Sequence, residues 1–291
     1  MHIVYHIGVH CTDEGQIFSC LNRNRRLLAK QDIVVAHPAK FKPILRETLK
    51  HLQGAEAPAE MQEMILDGIL AEDHPKRIIF SNEAFLSGYP RILVNGTLYP
   101  DAGEKCRRLA NLFPGHEITF CMAIRDPATF LPAYFSKIPA PDFTEFLSQI
   151  DPARLLWSEV IARIRAALPP EAGLKVWRNE EIPFIWRELM AEISGHDPDT
   201  ELAHLDDILG KIMTADGLAR MQAYMESHPP ANERQRRRIL DAFLDKFEAE
   251  DEALNVDSPL WTDEYVAALT EIYDADLFEI EQIPGVQVIA A

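Results

Sequence analysis

Residues 6–16 read HIGVHCTDEGQ and continue the apolar opening MHIVYHIGV (residues 1–9). An apolar, β-branched run that enters a glycine, then a short polar loop, then a helical pattern has a known consequence in α/β proteins. It sets a helix N-terminus at the carboxyl end of a strand, where free backbone N–H groups favour an anion. This loop instead carries Asp13 and Glu14, two carboxylates where an anion would sit. It also satisfies neither common nucleotide pattern. The glycine after Gly8 is Gly15, followed by Gln16, so G-x-x-x-x-G-K-[ST] is absent, and so is G-x-G-x-x-G.

Outward from this stretch, short β-rich runs alternate with longer amphipathic ones. The strand candidates are HIVYHIGV (2–9), IVVA (33–36), RIIF (77–80), EITFCMAI (117–124) and LKVW (174–177). Helical periodicity fills 16–30, 42–52, 58–71, 102–113 and 153–167. Parallel neighbours need long crossovers, so the expectation is an α/β fold: a central, mostly parallel sheet of about five strands flanked by helices. Beyond about residue 182 the pattern is helical to 278 and turns strand-like only at VQVIAA (286–291). Pro229-Pro230 breaks this helical region, and ANERQRRRILDAFLDKFEAEDEAL (231–254) reads as one long charged helix capped by Asn232. The expected organisation is an α/β core over 1–185 and a helical C-terminal extension over 186–291 packed on it.

The chain has 291 residues, 47% of them hydrophobic, which is enough for a large core. No apolar run approaches the length of a membrane span, and the N-terminus lacks a basic segment followed by an apolar one, so the expected location is the cytoplasm. A net charge of −17 opposes nucleic acid and anionic lipid as partners, because such binding rests on clustered Lys and Arg releasing counterions. Cys11, Cys20, Cys106 and Cys121 show no C-x-x-C spacing and are expected as free thiols.

YHIGVHCT (5–12), with LNRNRRLLAKQDIVV (21–35) after it, resembles the opening of bacterial members of the sulfotransferase family that use 3′-phosphoadenosine 5′-phosphosulfate (PAPS), whose loop reads H-I-G-x-H-K-T-G-T-T. IIFSNEAF (78–85), LFPGHEITFCMAIRDPATFLPAYF (112–135) and LKVWRNEE (174–181) resemble three later family stretches in the same order. The resemblance implies transfer of a sulfuryl group from PAPS to a hydroxyl or amine of a small-molecule or glycan acceptor, without a metal. The loop would cradle the phosphosulfate through Gly8, Cys11 and Thr12, with Cys11 standing at the family's lysine and Asp13, Glu14 and Gly15 at its Gly-Thr-Thr. Arg125 would hold the 3′-phosphate. Its usual serine partner is Ala133 here, with Ser136 one turn further as a substitute. Glu83 or His10 would accept the acceptor's proton. Losing a lysine of this kind removes a donor worth about 3–4 kcal/mol in the transition state. The alternative is an inactive sulfotransferase-fold protein that serves as a binding or structural partner of another protein.

Each residue also has a plainer role. Arg125 can pair with Asp126 or Glu83, Glu83 can cap a helix, and His6, on the same side of its strand as Val4, can be a core histidine. His6, His10, Cys11, Asp13 and Glu14 match no established ligand spacing, so no metal is expected. RQRRR (234–238) reads as a solvated helix face, and Trp157, Trp177 and Trp186 as packing residues.

Overall fold

A computed structural model describes residues 1–70, 75–140 and 142–291. The chain begins with β1 (His2–His6), α1 (Gln16–Arg23), α2 (Arg25–Ala29), β2 (Ile33–Val35), α3 (Pro38–Leu52), α4 (Ala59–Ile69) and β3 (Arg77–Ser81). A small hairpin of β4 (Leu93–Val94) and β5 (Thr97–Leu98) precedes α5 (Ala102–Ala110) and β6 (Glu117–Ile124). Next come α6 (Pro127–Phe135), α7 (Phe143–Ser148), α8 (Trp157–Ala167), β7 (Gly173–Arg178) and α9 (Ile182–Ser194). The C-terminal part holds α10 (Leu209–Ile212), α11 (Ala215–Ser227), α12 (Glu233–Phe247), α13 (Asp263–Glu281) and β8 (Val286–Ile289).

Six strands form one sheet in the order β2-β3-β1-β6-β7-β8, every neighbouring pair parallel. The sixth is β8, whose Val286 pairs with Leu174 and Ile289 with Trp177, so the last segment of the chain belongs to the sheet. Along β1, Ile3 and Tyr5 enter one core cluster while Val4 enters the other. Helices cover both faces, and this is why the strands read as unbroken apolar runs. From β1 the chain runs outward to β2, returns to β3 and then crosses to β6 on the far side. The carboxyl end of β1 is therefore a topological switch point, where doubly wound sheets open a crevice.

Several helical expectations change. The run 16–30 is two helices, because the Asn24 amide donates to Cys20 O and Ala203 O and its oxygen accepts from Ala203 N, tying the break to a distant segment. The helix expected over 42–52 starts earlier, at Pro38, with His37 as its cap. The run 58–71 becomes α4, and its last residue, Ala71, lies outside the described residues. Asn232 does cap α12, accepting from Gln235 N at 2.9 Å. That helix stops at Phe247, where the chain turns to bond residues 212–214: Phe247 O accepts from Thr214 N, and Ala249 N donates to Ile212 O. Within RQRRR, Arg236 is buried against Glu233 and Arg237 donates to Glu188 at 2.6 Å, so the face is only partly solvated. The three tryptophans named above are all buried. Among the described residues no helix is long and apolar enough to cross a membrane.

Candidate functional site

The loop after β1, the turn after β3 and the corner after β6 meet at the carboxyl edge of the sheet. Asn82 N donates to His6 O at 3.0 Å, and Ala123 N donates to Gly8 O at 2.7 Å. Gly8 has φ +97°, and a Cβ there would stand 3.0 Å from Glu83 Cα and 3.2 Å from Glu83 O. Only glycine combines that backbone conformation with so close an approach. Arg125 locks the loop from the other side. Its Nη1 donates to Cys11 O at 2.6 Å, its Nε to Thr129 Oγ1 at 2.9 Å, and its Nη2 lies 3.6 Å from Asp251 Oδ2. The partner of Arg125 is thus Asp251 of the C-terminal region, not Asp126 or Glu83.

The acids of the loop part company. Asp13 is buried, and its Oδ2 accepts from Ile17 N, in the first turn of α1, at 2.9 Å. Its Oδ1 lies 3.8 Å from Nε2 of the buried His6, whose Nδ1 is 2.9 Å from Ser81 Oγ. A carboxylate at a helix N-terminus satisfies a donor and suits the macrodipole. The chain therefore supplies its own anion at the position where the local architecture favours one. Glu14 turns outward at φ +48° and pairs with Lys137 at 3.7 Å. Thr12 Oγ1 donates to Val9 O at 2.6 Å, so its hydroxyl proton stays within the loop. The Cys11 side chain points into the core, where burial pushes its thiol up to about 11 and keeps it protonated at neutral pH.

His10 and Tyr99 form a second buried unit. Tyr99 Oη accepts from His10 N at 3.2 Å and lies 3.0 Å from His10 Nδ1. With the phenol donating to Nδ1, the ring hydrogen resides on Nε2. Burial lowers the His10 pKa to about 4, so the ring is neutral at pH 7. Tyr99 has φ +43°, a left-handed conformation that costs energy for a bulky side chain. Sequence reading missed Tyr99, although Asn95-Gly96 before it is a standard hairpin signal and both residues have positive φ.

Glu83, on a short 3-10 turn, is partly buried, and burial followed by the nearby Asp13 and Glu14 raises its carboxyl above the usual range. Ser136 sits at the opposite end of α6 from Arg125, exposed, with its hydroxyl donating to Ala133 O at 2.8 Å. Of the candidate residues, Gly8, His10, Cys11, Thr12, Glu83 and Arg125 gather at this edge, while Ser136 stands apart.

The inner face of α13 completes the corner. Asp126 Oδ1 caps α6 at Ala128 N, and its Oδ2 accepts from Thr270 Oγ1 at 2.6 Å. Glu180 accepts from Asp126 N and from the Tyr273 hydroxyl. Asp276 Oδ2 accepts from Trp157 N and Ser158 N at the start of α8. Among the described residues no group of three or more His, Cys, Asp or Glu side chains is placed to hold a metal ion. Two cavities, of about 830 and 290 Å³, lie beside α1 and α9, and on their rims Asp207 pairs with Arg23, Asp206 with Arg187 and Glu188 with Arg237. No family model and no curated protein matches the chain.

Proposed function

We propose that this chain is a sulfotransferase-like protein that has given up PAPS binding and sulfuryl transfer and serves as a binding partner of another protein. The observation that carries the reading is the Asp13 carboxylate on the amide of Ile17. An incoming phosphosulfate would have to displace this internal anion from the α1 N-terminus or be repelled by it. A hydrogen bond to a charged group is worth about 1.5–3 kcal/mol, which is enough to move a micromolar site towards millimolar. The neighbouring groups fit a phosphosulfate no better. Cys11 brings no cation, the Thr12 hydroxyl is engaged by Val9 O, and three donor nitrogens of Arg125 face Cys11 O, Thr129 Oγ1 and Asp251.

The test is calorimetric titration of 3′-phosphoadenosine 5′-phosphate into the unmodified chain and into Asp13→Gly. The expected result is no binding at micromolar nucleotide for the parent, with any gain confined to the variant. Micromolar binding by the parent would overturn the reading. It would favour the second one, an active transferase acting on a small-molecule or glycan acceptor with Glu83 as base. That alternative draws on the raised carboxyl of Glu83 beside the loop, which suits a group that must accept a proton.

A further inference from the structure

We propose that the outward face of α13 is a docking surface for a basic, amphipathic segment of a partner protein. This stands whether or not the loop after β1 binds a nucleotide.

The helix is held to the protein by Leu269, Tyr273, Asp276 and Ile280, all buried on one side. Opposite them, at spacings of four and three residues, Glu271, Ala275 and Phe278 form one exposed line, with Glu279 and Glu281 on its flanks. Phe278 is 66% exposed. Covering this ring with an apolar side chain of a partner would remove its surface from water, a favourable burial that the isolated chain does not make. Glu279 and Glu281 lie in the last turn, where the macrodipole is negative and acids are unfavourable. Among the described residues neither they nor Glu271 has a cation within 4.0 Å. No Lys or Arg follows Lys246 in the sequence, against 12 Asp and Glu.

The exposed ring and the misplaced acids occupy the same turn. One occupant answers both, a segment that lays an apolar side chain on Phe278 and sets Lys or Arg beside the three glutamates. A second copy of this chain answers them poorly. Copies of net charge −17 repel each other, and the basic stretch 22–53 contains none of the large exposed apolar side chains, Met64, Tyr224, Leu260 and Phe278.

The probe is a fluorescein-labelled amphipathic Lys/Leu helix of about 18 residues, long enough to cover such a face, with its Glu/Leu counterpart as control. Anisotropy titrations use the full chain, Phe278→Ala and the double variant Glu279→Lys with Glu281→Lys. The parent should bind the Lys/Leu peptide and not the control, and each variant should weaken binding about tenfold or more while still melting cooperatively, the Lys double variant at or slightly above the parent's midpoint. Absence of binding by the parent overturns the proposal, as does equal binding by both variants, which would place the peptide on other acids. Sedimentation of the parent as a dimer that the double variant dissolves would also overturn it, making a second copy the occupant. Nucleotide titration reads a different site, so the two proposals fail separately.

Discussion

Carboxylates are handled in opposite ways at the loop after β1 and on the outer face of α13. Asp13 is buried and spent on a backbone amide of α1, beside His6, so its charge serves the fold. Glu271, Glu279 and Glu281 stand in solvent, and two of them sit at the helix end that disfavours them. The charge distribution follows the same division: residues 1–185 carry 21 Lys and Arg against 22 Asp and Glu, whereas residues 186–291 carry 8 against 24. Acid count alone therefore says little about function. What decides is whether the local structure uses each carboxylate or leaves it for something else, and that distinction can be measured.

The largest effect should come from acid pH acting on the closed edge. His10 is held neutral by burial, with its pKa lowered to about 4 from an ordinary 6.5. The unfolded chain takes up this proton at higher pH than the folded one. Its contribution is fully present above about pH 6.5 and is lost as pH falls towards 4, a change of about 3 kcal/mol. Burial also lowers His6, which acts in the same direction. Glu83 has the opposite sign: its raised carboxyl favours the folded state below the ordinary carboxylate range, and that benefit fades as pH rises. Urea unfolding across this window should show stability falling on acidification, with a shallower slope in His10→Gln. An unchanged slope would move the acid response away from this edge.

Next in size is the removal of Asp13. Asp13→Ala strips the acceptor from the α1 N-terminus and leaves His6 Nε2, a buried atom with no hydrogen-bond partner, without its nearby charge. Loss of such a cap costs about 1–2 kcal/mol. Asp13→Asn, which keeps an acceptor oxygen, should lose less. Denaturant midpoints decide the matter, and an Asp13→Ala protein as stable as its parent would mean that the carboxylate is not structural. Gly15 should be left untouched in any redesign of the loop, because φ +80° at the entry to α1 disfavours a side chain there.

The two regions were not equally legible in the sequence. Strands β1, β3 and β6 stood out because burial on both faces makes them continuous apolar runs, and the order of the motifs already grouped Gly8, Glu83 and Arg125 at strand ends. What the sequence withheld was the side to which each polar group turns. Asp13 and Glu14 are adjacent acids in one loop, yet one caps a helix and the other points to solvent, a choice made by backbone angles. The partners of the corner residues are remote: Tyr99 lies 89 residues from His10, and Thr270 lies 144 from Asp126. Local periodicity carries no information at that range. It also extended α12 past Phe247, since the pairing with residues 212–214 that ends the helix comes from elsewhere in the chain.

The smallest effect has the opposite sign and tests the other side of the comparison. Glu279→Gln with Glu281→Gln removes two negative charges from the C-terminal turn of α13, the negative end of the helix macrodipole. Each acid at such a position costs about 0.3–1 kcal/mol at low ionic strength and less in salt. The double variant should therefore be slightly more stable than the parent, by a margin that shrinks as salt is added. Glutamine keeps the size of the side chain, so packing beneath the helix, through Tyr273 and Ile280, should not change. If instead the variant loses stability, these glutamates have a structural partner and belong with Asp13. A gain in stability accompanied by weaker binding of the Lys/Leu peptide would mean that the isolated chain keeps these charges at its own expense, for the sake of what docks there.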